Sequence, residues 1–105
     1  MNIDIRSPSF RLTRALSDHI QRRIHFALGR FAQRLAGVRV TLKDLNGPKG
    51  GVDKQCKVLV SIRPSFSVII EDADTDLEAA INRAVERAGR TVARRLDQVI
   101  GRRRS

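Results

Sequence analysis

Apolar residues recur at every second position in four short stretches of this chain and at every third or fourth in two longer ones, and the order of the two periods limits the fold. Residues 2–6 (NIDIR) put Ile3 and Ile5 on one side of a short strand, closed by the Ser7-Pro8-Ser9 turn signal. A helix follows, with Thr13 as its N-cap. Leu12, Leu16, Ile20, Ile24, Ala27, Leu28, Phe31 and Leu35 recur at three and four until Gly37 supplies a stop. Period two returns in GVRVTLKDL, where Val38, Val40 and Leu42 alternate with Arg39, Thr41 and Lys43. It returns again in KQCKVLVSIR, where Cys56, Val58, Val60 and Ile62 alternate with Lys57, Leu59 and Ser61. Arg63-Pro64-Ser65 turns the chain into a fourth strand, FSVIIED, ahead of a long second helix. The order β-α-β-β-β-α predicts an α+β fold: a four-stranded sheet with a crossover after the first strand, hairpins after it, and two helices packed side by side on its one apolar face.

The second helix carries an arginine-rich stretch, NRAVERAGRTVARR (82–95). At about 100° per residue, Arg83, Arg87, Arg90 and Arg94 stay within a stripe roughly 60° wide. Ile81, Ala84, Val85, Ala88, Val92, Val99 and Ile100 fall roughly opposite, so the apolar side is free to bury while the arginines face water. Like charges at this spacing repel by a few tenths of a kcal/mol per pair, a cost that solubility alone does not demand. An anionic partner removes it. The first helix adds Arg22, Arg23, Arg30 and Arg34 away from its apolar stripe, and Arg95 follows Arg94, so two neighbouring helices predict one positive surface.

Overall charge agrees. The 105 residues hold 21 Lys+Arg against 11 Asp+Glu, a formal charge of +10, and arginine, the planar phosphate-pairing residue, supplies most of the bases. The acids concentrate in EDADTDLE (71–78), which reads as the start of the second helix, with Thr75 and Glu78 at capping-box spacing. Phe26 falls among the arginines of the first helix, where a ring can stack on a base or meet a partner protein, but single exposed aromatics are common and a plain solvated ring is the favoured reading. Gly47-Pro48-Lys49-Gly50 has the GXXG spacing of KH domains but joins two strands, and so reads as a hairpin loop, with Lys49 and Lys54 available for contacts.

Catalysis finds no support. His19 and His25 lack partners at metal-ligand spacing, the single cysteine, Cys56, sits on the inward register of its strand, and no HExxH, CxxC or Walker pattern occurs. No cofactor, metal or small-molecule substrate is expected. No apolar run approaches the length of a membrane span, and the expected location is the cytoplasm. One domain, 1–101, with a short basic tail at 102–105, accounts for the chain. The residues alone describe a basic, non-catalytic module whose helical arginines contact phosphates. A general double-stranded RNA binder and a regulatory module that docks on a protein remain open beside it.

The chain also resembles the ribosome hibernation promoting factor family, which includes the sigma-54 modulation protein and the ribosome-associated inhibitor of translation. The likeness runs through IDIR, FRLTRALSDHI, VRVTL and, above all, DLEAAINRAVERAGRTVARR, with Ala80, Ile81, Arg87, Arg90 and Arg94 in the family's pattern and Arg23 at the place of a family lysine. The resemblance implies a fold akin to double-stranded RNA-binding domains. It also implies binding to the small ribosomal subunit and its ribosomal RNA, in the neck and decoding region, where the protein blocks messenger and transfer RNA under stress. Three features depart from the family: a long Gly-rich NGPKGGVDKQC connection, Phe26 in place of a common base, and an end at GRRRS, which leads us to expect no second, ribosome-pairing domain.

Overall fold

A computed structural model of the chain describes residues 1–45 and 52–104. The elements are β1 (Ile3–Arg6), α1 (Arg14–Leu28), a 3₁₀ helix (Gly29–Arg34), β2 (Leu35–Asp44), β3 (Lys54–Ile62), β4 (Phe66–Asp74) and α2 (Leu77–Arg104). The strands form one mixed sheet in the order β1-β2-β3-β4. β1 runs parallel to β2, as a crossover through α1 requires, and the two following pairs are antiparallel. This is the α+β architecture that the alternating periods predict.

The register explains which strand residues are buried. Val40, Val58 and Ile70 line up across β2, β3 and β4, and so do Val38, Val60 and Val68. All six lie in the core with Ile20, Ile24 and Leu28 of α1 and Ala80, Ile81, Ala84, Val85, Ala88, Val92 and Leu96 of α2. Only one face of the sheet is apolar throughout, so both helices pack on that face and against each other. The opposite face is open. There Arg6 and Arg39 both donate to Asp4, and Lys57 lies 3.9 Å from Glu71.

Three sequence expectations about element ends need correction. α1 stops at Leu28 rather than before Gly37, because the next six residues tighten into the 3₁₀ helix and Leu35, expected on the helical stripe, opens β2 opposite Ile62. Gly37 therefore lies inside β2, at an irregularity where the register shifts between Leu35 and Gly37. Leu12 is exposed, while Thr13 is the N-cap as expected, its hydroxyl accepting from the Leu16 N–H at 3.1 Å. At the start of α2 the cap is Asp76 rather than Thr75. The Asp76 carbonyl accepts from the Ala80 N–H and its carboxylate from the Glu78 N–H, while the Thr75 hydroxyl donates to Asp74.

The β2–β3 connection is pinned at its base, where the Leu45 N–H donates to the Asp53 carbonyl at 2.8 Å. Lys54 is tied down there. It donates to the buried Asp53 carboxylate at 3.0 Å and to Asp44 at 3.3 Å, which engages it at the hairpin base rather than in the contact loop that the sequence left open. The GPKG segment and Lys49 lie outside the described residues. Among the described residues no helix is long and apolar enough to cross a membrane.

Candidate nucleic-acid interface

The surface of α2 is divided by what lies on either side of it. On one flank is β4, whose inward-facing register brings Asp72 and Asp74 under the first turns of the helix. Arg83 reaches both, with Nη2 2.9 Å from Asp72 Oδ1 and Nη1 2.9 Å from Asp74 Oδ2, and its Nη2 also donates to the Ala73 carbonyl. Arg87 donates to the Glu71 carbonyl at 3.0 Å and to Asp72 at 3.3 Å. Arg83's hydrogen bonds, followed by Arg87's, hold the Asp72 carboxyl below the usual carboxylate range against the opposing pull of burial. The Arg83 guanidinium is shifted upward in turn, first by Asp72 and then by Asp74. The acidic segment thus does two jobs. Asp76 and Glu78 lie at the helix start, whereas Asp72 and Asp74 clamp it to β4.

On the other flank is α1, and between the helices runs a groove of about 650 Å³. Arg23 and Arg30 border it from the α1 side and Arg90 and Arg94 from α2, with Phe26 beside them and Ala27, Val85, Gly89 and Ala93 lining its apolar part. The groove exists because the helices approach closely at Gly89. A Cβ built there would lie 2.9 Å from the Ala27 carbonyl oxygen, so any larger residue pushes the helices apart. Phe26 is 92% exposed, as its place on the polar side of the helix predicts.

The eight arginines singled out in the sequence therefore fall into three settings. Arg23, Arg30, Arg90 and Arg94 share the groove, Arg83 and Arg87 are clamped to β4, and Arg22 and Arg95 lie outside both. Within the groove Arg90 donates to Glu86 at 2.6 Å, Arg94 to the Thr91 hydroxyl at 3.4 Å, and Arg30 stacks 4.6 Å from the Phe31 ring centre. Arg23 has no ion pair among the described residues, and Arg22 is exposed. Arg95 stands about 100° round the helix from Arg94 and lies over the Phe66 ring at 5.7 Å. The sequence reading missed Gly89, although a glycine inside an Ala- and Val-rich helix is itself a signal of close approach.

Two titratable groups outside this surface, His19 and Cys56, are engaged in packing. His19 lies 2.9 Å from the Asn82 side-chain oxygen and 3.6 Å from Glu78, bridging α1 to α2. The Cys56 thiol is buried, and desolvation, assisted by the nearby Asp72 charge, pushes its pKa up to about 12, so it is protonated and a poor nucleophile near neutral pH. Among the described residues no group of three or more His, Cys, Asp and Glu side chains is placed to hold a metal.

A family model described as "Sigma 54 modulation protein / S30EA ribosomal protein" matches residues 3–100. The chain belongs to that family. Its fold is similar to that of the Thermus thermophilus Protein Y N-terminal domain, at 29% identity and a TM-score of 0.73, with 90% of this chain and 98% of that one covered. It is also similar to a ribosomal subunit interface protein from Coxiella burnetii, at 11% identity and a TM-score of 0.72 over 92% of this chain and 99% of the other. At 11% identity that second likeness concerns the fold alone. No curated protein sequence matches the chain. The family match spans both flanks of α2, taking in the β4 clamp and the groove alike.

Proposed function

We propose that this chain binds the small ribosomal subunit, contacts its ribosomal RNA through the α1–α2 face, and blocks messenger and transfer RNA by occupying their space, as a hibernation factor does under stress. Family membership supports the ribosome as partner. The observation that carries the reading is the groove: four arginines converge on it from α1, the 3₁₀ helix and α2, and among the described residues Glu86 is the one carboxylate that lines it. Guanidinium forks gathered on a rigid helix pair suit phosphate oxygens, which position an RNA-binding protein without reading sequence. Arg83 and Arg87 remain about half exposed beside their carboxylates and have spare N–H donors for a phosphate. Arg22 and Arg95 extend the positive surface at its margins.

In this reading residues 1–101 are the binding domain, 102–105 add charge, and the protein works in the cytoplasm without cofactor, substrate or turnover. Inhibition then saturates near one copy per small subunit. The test is co-sedimentation of purified small subunits with the Arg23→Glu, Arg94→Glu double variant. Both side chains point away from the core, so circular dichroism should be unchanged while affinity falls by at least about tenfold, as expected for two lost charge-assisted contacts. Undiminished binding by the folded variant overturns the site. Equal affinity of the unaltered protein for naked duplex RNA would instead make it a general double-stranded RNA binder.

A further inference from the structure

We propose that the groove between α1 and α2 receives one unpaired RNA nucleotide, its base stacked on the Phe26 ring and its flanking phosphates held by Arg23, Arg30 and Arg94. The inference deepens the functional reading above and rests on it. Phe26 is the most exposed large apolar side chain described, at 92%, and it stands three residues after Arg23 and four before Arg30. Arg23 is its neighbour one turn back on α1, Arg30 follows in the 3₁₀ helix, and both line the groove with Phe26 opposite Arg90 and Arg94 of α2. Single exposed aromatics are common, but this ring shares one groove with four guanidinium groups. A nucleotide uses all of them: its base has a flat π face for the ring, and its phosphates have oxygens for the arginines.

The shape selects an unpaired base over a duplex. Inside a double helix both faces of each base are covered by its neighbours, and only a splayed-out or single-stranded base can lie against an aromatic side chain. About 650 Å³ falls in the range of sites that hold small organic groups, and the apolar lining of Ala27, Val85, Gly89 and Ala93 leaves room for a ring edge. A protein partner is less well matched. It would have to bring an apolar ridge and several carboxylates together, whereas RNA brings both chemistries in every nucleotide.

The sequence makes the test direct. The chain contains no Trp and no Tyr, so a Phe26→Trp substitution introduces its only strong emitter at the proposed contact. With an eight-nucleotide oligo(A) probe, the Phe26→Trp variant should bind as well as the unaltered protein, with its emission quenched on binding. Phe26→Leu keeps an apolar side chain without a π face, and should bind oligo(A) and small subunits roughly tenfold more weakly, the loss expected for one stacked base. Both variants alter a solvent-exposed position and should fold normally. Undiminished binding by Phe26→Leu, or unchanged emission in Phe26→Trp, overturns the inference. Quenching by RNA-free small-subunit proteins rather than by oligo(A) overturns it in favour of a protein contact. If Phe26→Leu is silent while the Arg23→Glu, Arg94→Glu variant still loses subunit binding, only the stacking fails. If both are silent, the functional reading fails.

Discussion

Asp72 is the residue on which the charge pattern of the helical face turns. It lies on the inward register of β4, is mostly buried, and takes hydrogen bonds from Arg83, Arg87 and the Ala73 N–H. Its carboxyl is held below the usual range, so the ionised form is favoured by folding. The sign of the linkage follows. The stabilisation is complete above the ordinary carboxylate pKa, near pH 4, and is lost as pH falls through the lower folded value. Replacing Asp72 with Asn should cost about 1 kcal/mol near pH 7, a modest figure because the arginine ends are half in water. The difference from the unaltered protein should shrink as pH is lowered below about 4, where the native carboxylate is itself being protonated. Urea denaturation midpoints at pH 7 and pH 3 measure both, and a difference that stays constant with pH would contradict this account.

Among the elements, the two helices meet at one glycine, and that contact sets the width of the groove. In an exposed helix Gly→Ala is worth up to about 1 kcal/mol of added stability. At Gly89 the new methyl would lie 2.9 Å from the Ala27 carbonyl oxygen and 3.2 Å from its Cβ, so Gly89→Ala should instead destabilise by about 1–3 kcal/mol, the usual cost of overpacking. Gly29 is the control, since a Cβ there meets nothing within 4 Å and the backbone is right-handed helical. Gly29→Ala should be neutral or mildly stabilising, and thermal denaturation of the pair separates packing from propensity. The same contrast explains what was readable in the sequence. The periods of Val38–Leu42, Cys56–Ile62 and Ile81–Val92 disclosed strands, helix and core faces, because burial imposes them locally. The end of α1 was hidden, since Phe31 and Leu35 keep helical spacing while serving a 3₁₀ turn and a strand. The division of the arginine stripe was hidden as well. Arg83 lies eleven and nine residues from its partners Asp72 and Asp74, a distance that only the fold closes.

At the scale of the whole molecule, a sheet with one open face carries a 28-residue helix along its covered face, and the result is elongated, 53 × 24 × 20 Å. A formal charge of +10 draws such a body toward polyanions from any direction. The β4 carboxylates pair with the first part of the arginine stripe, so under the proposed function the groove with Arg23, Arg30, Arg90 and Arg94 is the side presented to RNA. Cys56 lies beneath this arrangement on β3, paired across the sheet with Leu42 on β2 and Asp72 on β4. A thiol that is both inaccessible and protonated reacts with a disulfide reagent only in molecules whose sheet has come apart, so its labelling rate is a clock for global opening. Any partner that binds only the folded chain must slow that clock by mass action, even though it never touches the sulfur. Labelling with and without saturating small subunits should therefore differ by the ratio of free to total protein, and binding becomes measurable from the interior of the molecule, with the arginine face left unaltered.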